Sequence, residues 1–512
     1  MNQHVKIVGR VLIGVACGLA YWCAGPQTGQ WWLAPISFVP MLCLVASRST
    51  GGAQNAFLAA AFYLAWTIPT FDWMRTATID VTQMGPMASL GASATATAVL
   101  MLGVVGCRLL HHCGWALCIA WPAACLATEE LLDLLLRAAC WTTVDSVRVA
   151  VTQVGDSPIA QLASVGGAPL VTWTVAALSG IIADFLIVMT GHSRLPWIWW
   201  VIAAVCCCAV AFSSQRADTE AGPHLKIAVV PGVAAHPADM VAIHRRIAAS
   251  DRVDLVVWPE SALLNRVVDA TDERALADLH DPGVAVPALV GVQRYSKSPA
   301  GLYNSAIMCA DGHITGYVDK RFPCPMLECR PPVARWLGIM SRFEFERGDS
   351  PQLVRLSSHP DLRIGVGICH DVCFPEWSSD IAPHANVLLH VSNEGLARSR
   401  SAGLRATACA RLRAIESGRT IVRCARGGQS AVIDRFGRVV AAIGDPVEND
   451  GFVVFDAPVC FQTTTYVVVG RRATCAIMLF CAVALLSSRL FALAPSESAT
   501  THFPTAVGGK TP

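Results

Sequence analysis

Charge is what this chain is short of. Of its 512 residues, 39 are Lys or Arg and 37 are Asp or Glu, 15% in all, against about 25% in an ordinary soluble protein. With 54% of the residues hydrophobic, that deficit argues against a set of soluble domains and for a membrane protein that also carries a folded polar part. The net charge of +2 and the lack of any basic run exclude nucleic acid as an expected partner. Paired Cys-x-x-Cys spacing is missing despite 21 cysteines, and a closed zinc site needs four N/S ligands, so no metal is expected. Many of the cysteines lie in apolar runs such as "VCCCAVAF" (205–212), where Cys behaves as a small hydrophobe.

What the chain has in quantity is bilayer-length apolar sequence. A span needs roughly 20 mostly apolar residues. Spans are expected near 8–24, 31–47, 53–71, 85–106, 114–134, 167–190 and 196–213, and an eighth near 471–493. Lys6 and Arg10 precede the first run in a signal-like way, but no A-x-A site follows, so it reads as an uncleaved anchor. With the N-terminus inside, the inner loops hold Lys6, Arg10, Arg48, Arg108 and Arg194, and the outer ones Arg75, Arg137 and Arg148. That bias sets the orientation, although Arg471 and Arg472 oppose it. Residues 1–215 thus form a membrane domain of about seven spans, which places the polar domain that follows outside the cytoplasm. The tail 494–512, rich in Ser, Thr, Pro and Gly, is expected to be disordered. Glu129, Glu130 and Asp133, in or near the fifth span, are costly in lipid. They either line a lipid path or lie solvated at the outer boundary.

Residues 222–460 have another texture. "LKIAVV" (225–230), "VDLVVW" (253–258), "PALVGV" (287–292), "LRIGVGI" (362–368) and "NVLLHV" (386–391) are short Val/Ile/Leu runs bounded by polar or Gly/Pro residues, the pattern of buried strands. Helical spacing in "HPADMVAIHRRIAAS" and "SAGLRATACARLRAIESGR" between them argues for a layered α/β domain. Polar residues just past such strands are the candidates for chemistry: Glu260 in "VVWPES", Lys320 and Glu328 in "YVDKRFPCPMLE", and Cys369 in "GICHDVCFPE". A thiol displayed on a strand-to-helix turn sits near backbone N–H groups that would hold an oxyanion. It needs a base or a nearby cation to become a nucleophile. Taken singly, each candidate also fits a bland role: Glu260 in a turn or salt bridge, Lys320 solvated in a loop, Cys369 in the core.

Taken together, Glu260, Lys320 and Cys369 resemble the Glu–Lys–Cys triad of the nitrilase superfamily in order and spacing. "LYNSAIM" (302–308), "HVSNE" (390–394), "ARLRAIESGRTIVR" (410–423) and "GGQSAVIDRFGRVV" (427–440) match as well. Multiple spans before such a domain and one after it resemble the apolipoprotein N-acyltransferases of the bacterial inner membrane. That resemblance implies a multi-pass α-helical membrane domain carrying an α-β-β-α sandwich that faces the periplasm. It implies acyl transfer from a phospholipid to the α-amino group of a diacylglyceryl-cysteine on an apolipoprotein. Cys369 would be nucleophile, Glu260 base and Lys320 the oxyanion's partner, with Glu328, His370 and Asp371 in support and no cofactor.

The surroundings of the triad depart from that family. His370 and Asp371 stand where Tyr and Glu are usual, "FPCPMLE" (322–328) keeps Pro325 and Glu328 but loses a Phe-Gly, and "GLARSR" follows "SNE". A tethered amidase and a silent paralogue therefore stay open at this stage. So do a packing or disulfide role for Cys373 beside Cys369, and a Cys324–Cys329 pair.

Overall fold

A computed structural model describes residues 3–47, 52–77, 85–190, 223–232, 237–250, 252–263, 267–269, 286–310, 313–349, 353–443 and 451–470, with 472, 474–476 and 483. The expected span 196–213, nearly all of 471–493 and the tail 494–512 lie outside them.

Among the described residues, three helices are long and apolar enough to cross a membrane: Val5–Ala24, Pro86–His112 and Pro158–Met189. The run at 31–47 forms two short helices, Leu33–Ser37 and Val39–Ala46, and falls short of a span. Pro35 and Pro40 each remove a helical N–H donor there. The principal helices of the bundle are α1 (Gln3–Ala24), α2 (Gly52–Phe71), α3 (Gly85–His112), α4 (Leu117–Cys140) and α5 (Ala163–Met189). Gly14 and Gly18 let α1 and α2 run side by side: a Cβ on either would lie 2.5 Å from the Leu58 carbonyl oxygen or 2.2 Å from that of Phe62. Small residues permit this close approach where lipid offers no hydrophobic drive. Tyr21, Phe38, Phe62, Trp66 and Trp121 pack ring against ring at one end, with centroids 4.9–5.9 Å apart, while Leu12, Leu90, Leu109 and Leu134 point outward.

The polar domain is two sheets with helices outside them. One has the strand order β13-β1-β2-β4-β5-β6, with β3 beside β4: β1 (His224–Val229), β2 (Leu255–Val257), β3 (Val267–Asp269), β4 (Ala288–Lys297), β5 (Ala300–Ala310), β6 (His313–Asp319) and β13 (Val453–Pro458). The other has the order β12-β11-β10-β9-β8-β7: β7 (Leu353–Leu356), β8 (His359–Ile368), β9 (Val387–Asn393), β10 (Thr420–Arg426), β11 (Ser430–Ile433) and β12 (Val439–Ile443). Strand alternation sends Ile227, Val257 and Leu289 of one sheet against Val366, Leu389, Val391 and Val422 of the other. The opposite faces bury Ala228, Val256 and Val290 under the helix Pro237–Ser250. They likewise bury Leu388 and Ile421 under α6 (Pro375–Ile381) and α7 (Arg400–Ser417). This is the expected α-β-β-α sandwich.

The sandwich docks on one end of the bundle. Ala408, Leu412 and Ile415 of α7 belong to the bundle's own core. Further contacts come from the loops after α2 and α4: Thr76 to the Ala397 carbonyl at 2.9 Å, Gln161 to the Phe436 carbonyl at 2.9 Å, and Arg411 to the Gly155 carbonyl at 2.8 Å.

The three carboxylates of α4 correct one expectation. Glu129 and Asp133 are buried rather than solvated. Fully buried Arg148 pairs with Glu129 at 3.0 Å, Asp145 at 2.6 Å and half-buried Glu130 at 2.8 Å. Asp133 accepts from Thr143 at 2.6 Å and Arg137 at 2.7 Å. The cost of dehydrating these charges is met by pairing, which pins the loop 143–149 to α4. Arg148→Ala strands buried carboxylates and should lower stability in detergent by about 3–5 kcal/mol. Glu130→Gln, at the exposed edge, should cost about 1 kcal/mol or less. Thermal unfolding of the two variants side by side checks this, and equal losses would contradict it.

Candidate active site

The three triad candidates and Glu328 come together where the ends of β2, β6 and β8 meet. Glu260 follows β2 through a turn in which the buried Trp258 indole donates to His244 at 2.8 Å. Gly291 of β4 lies directly beneath that turn: a Cβ there would stand 2.2 Å from the Pro259 carbonyl oxygen and 2.7 Å from Glu260 Cα. Lys320 follows β6, its N–H donating to the Asn304 carbonyl at 2.8 Å and its own carbonyl accepting from Gly348 at 2.9 Å. The ammonium is 1% exposed and lies 2.9 Å from Glu260 Oε1 and 2.7 Å from Glu328 Oε2. Asn304 closes the cluster from β5, its amide Nδ2 lying 2.7 Å from Glu260 and 2.6 Å from Glu328. Backbone donors add to the cluster, Asn393 N–H to Glu260 Oε2 at 2.9 Å and Cys324 N–H to Glu328 Oε2, the oxygen that also faces Lys320, at 2.6 Å. Burial by itself would lower the Lys320 pKa, but its acidic neighbours Cys369, Glu260 and Glu328 outweigh it and hold the ammonium well above the usual lysine range.

Cys369 ends β8 in the left-handed region, φ +48°, and opens a single 3-10 turn, Cys369–Cys373. That conformation costs a non-glycine residue about 1–2 kcal/mol and is retained only where neighbours enforce it. Asp371 is one such neighbour, accepting from Ile368 N–H at 2.9 Å and, across the cleft, from Phe322 N–H at 2.8 Å. Burial pushes the Asp371 carboxyl up to about 6 against those two donors. The Cys369 thiol is raised far above its usual range by burial and by the Glu260 carboxylate, and Lys320 offsets this only in part. His370 faces away from that cluster. Its Nδ1 lies 3.2 Å from the Phe322 carbonyl and its Nε2 3.0 Å from the Thr142 hydroxyl. Since a carbonyl only accepts, Nδ1 carries the proton and Thr142 donates to Nε2. Burial and Lys320 depress the imidazole to about 4, so it is neutral at ordinary pH.

Two family models match the chain: the apolipoprotein N-acyltransferase N-terminal domain over residues 17–181, and carbon-nitrogen hydrolase over residues 203–454. The chain belongs to the apolipoprotein N-acyltransferase family, within the nitrilase superfamily. Relatives named apolipoprotein N-acyltransferase include one from Pseudomonas syringae, 26% identical over 56% of this chain and 60% of that protein. Others are from Pseudomonas putida, 27% identical over 63% of this chain and 66% of that protein, and Allorhizobium ampelinum, 24% identical over 88% and 91%. The matches to the two Pseudomonas proteins thus span less than two-thirds of those proteins. Among solved structures, an amidase from Nesterenkonia is 16% identical with a TM-score of 0.37, over 49% of this chain and 97% of that one.

Of the residues gathered here, the sequence points to Glu260, Lys320, Glu328, Cys369, His370 and Asp371 but not to Asn304 or Asn393. Both asparagines sit in the motifs "LYNSAIM" and "HVSNE", but the sequence does not show that the middle of β5 and the end of β9 meet at Glu260. Cys373 packs into the apolar cluster that holds Cys409, and Cys324, Cys329, Cys369 and Cys373 are all free thiols. Gly291→Ala should displace the Glu260 turn by about an ångström and cut turnover by about 10²-fold. Gly316→Ala, with open space at its Cβ, is the matched control and should leave turnover unchanged. Comparable losses in the two variants would contradict this reading of the turn.

Proposed function

We propose that this chain transfers an acyl chain from a phospholipid to the N-terminal α-amino group of the diacylglyceryl-cysteine of apolipoproteins, by way of a thioester on Cys369. The observation that carries the reading is one buried ammonium, Lys320, held between Glu260 and Glu328 next to a thiol, in a sandwich docked on a helical bundle. Family membership supports the reaction class. On this reading the site faces the extracytoplasmic side of a bacterial inner membrane, which the basic residues of the expected inner loops support.

A thiol raised so far is protonated at rest, so the nucleophile forms only as it reacts. Glu260 takes the Cys369 proton while Sγ attacks the ester carbonyl, and Lys320 with a backbone N–H of the elbow stabilises the oxyanion. Collapse breaks the acyl C–O bond, and the proton on Glu260 passes to the leaving alkoxide, releasing lysophospholipid. The acceptor amine then attacks the thioester carbonyl and loses a proton to Glu260. The C–S bond breaks, and the thiol is restored with that proton. Glu328 keeps Lys320 charged and aligned through both halves. An apolar, water-poor setting protects the thioester from hydrolysis. Each step is met by side chains already in the cluster, so the reading calls for no cofactor.

Intact-mass analysis after incubation with a defined diacyl phospholipid tests this. Wild type and Cys373→Ala should gain one acyl chain that hydroxylamine removes and a diacylated lipopeptide discharges, and Cys369→Ala should gain none. Absence of both adduct and lysophospholipid in wild type would contradict the reading, and discharge to water alone would indicate an amidase. A second check uses pH. Because the Cys369 thiol is raised rather than lowered, its alkylation by iodoacetamide should keep rising through pH 9, and a plateau below pH 8 would show a preformed thiolate instead.

A further inference from the structure

On the helix-facing side of the second sheet, Gly367, His390 and Arg423 stand side by side across β8, β9 and β10. His390 and Arg423 have no solvent exposure, and Trp377 of α6 fills the place a side chain at 367 would take, 2.3 Å from a Cβ built there. Arg423 donates through Nη1 to His390 Nδ1 at 2.9 Å, through Nε to the Gln429 carbonyl at 2.9 Å, and through Nη2 to Glu394. His390 Nε2 lies 2.9 Å from the carbonyl oxygen of Cys369. These contacts admit one arrangement of protons. A guanidinium only donates and a carbonyl only accepts, so His390 is the neutral Nε2–H tautomer and the hydrogen bonds run from Arg423 through His390 to Cys369.

We propose that His390, backed by Arg423 and Glu394, is a positioning residue that fixes the plane of the Cys369–His370 peptide and so aims the His370 N–H at the oxyanion of the acyl intermediate. In a trans peptide the C=O and N–H point opposite ways, so gripping the carbonyl from the helix side turns the N–H toward the cleft. The grip is needed because Cys369 holds a left-handed φ of +48°. Without it the strain is relieved by rotating this peptide, which carries the N–H out of line. The inference rests on the reading of Cys369 as the acyl-accepting nucleophile.

Two reactions of the same thiol separate the roles, run on the full-length enzyme in detergent with the modified cysteine assigned by peptide mass. Acylation of Cys369 by a p-nitrophenyl acyl ester passes through an oxyanion, and alkylation by iodoacetamide does not. His390→Leu should slow acylation by about 10²-fold while alkylation stays within about threefold, the loss expected for one misplaced oxyanion donor. His390→Asn, polar but too short to reach the Cys369 carbonyl, should behave like the Leu variant. His390→Gln should recover most of the acylation rate, since its Nε2 donates to the carbonyl and its Oε1 accepts from Arg423. Equal falls in both reactions, or acylation at the wild-type rate in the Leu and Asn variants, would overturn the proposal. A wild-type enzyme that is alkylated at Cys369 but never acylated there would overturn the nucleophile reading itself, whatever the variants do.

Discussion

Burying one lysine between two glutamates is costly in isolation: each ion loses hydration worth several kcal/mol, and the attraction repays it only where every remaining lone pair and proton finds a partner. Around Lys320 the two carboxylates take further donors from Asn304, the Asn393 N–H and the Cys324 N–H. Much of the domain's architecture serves that satisfaction. The ends of β2, β6 and β9 and the middle of β5 must converge on it, Gly291 must leave room beneath the Glu260 turn, and Asp371 must tie the Phe322 loop to the nucleophile elbow. The reward is a cation of fixed position in a site of low dielectric, where its field on a developing oxyanion is far stronger than in water.

The same elbow is mechanically continuous with the helical bundle. Thr142, just past the end of α4, donates to His370, and Arg137 of α4 pairs with Glu376 at the start of α6 at 3.0 Å. Arg137 also lies over the Phe374 ring at 5.3 Å, and Phe374 stacks flat on Phe322 at 3.8 Å. From the buried Arg148 cluster to the nucleophile there is an unbroken run of paired side chains. The helix α7, which shares its apolar residues between sandwich and bundle, sets the sandwich rigidly on the helices.

How much of this was legible in the sequence depended on burial. The five runs read as strands are β1, β2, β4, β8 and β9, parallel-paired members of the two sheets, covered on both faces and so written as continuous apolar runs. Flanking strands such as β6 and β12 alternate between buried and exposed or stay largely open, and their sequences carry little pattern. Glu260 and Cys369 were legible because they follow the buried strands β2 and β8, whereas Lys320, past the open strand β6, gained meaning only beside them through the resemblance. Asn304 and the His390–Arg423 relay were not legible, because each becomes meaningful only through a neighbour 16 to 44 residues away or more that register brings alongside. Glu129 and Asp133 misled for the same reason: their partner Arg148 and the hydroxyl of Thr143 lie beyond the end of their own helix.

The central claim is that the Cys369 thiol stays protonated until substrate arrives and that Glu260 removes the proton as the bond to carbon forms. The acylation rate of Cys369 by a fixed acyl ester, measured by rapid quench in H2O and in D2O at matched pH or pD on the plateau of the rate profile, tests it most directly. A proton in flight in the transition state makes the reaction slower in D2O, and Glu260→Gln should abolish both the fast rate and the isotope effect. A rate equal or faster in D2O would mean that the thiolate exists before substrate binds, and would contradict the account of how the buried Lys320 cluster is used.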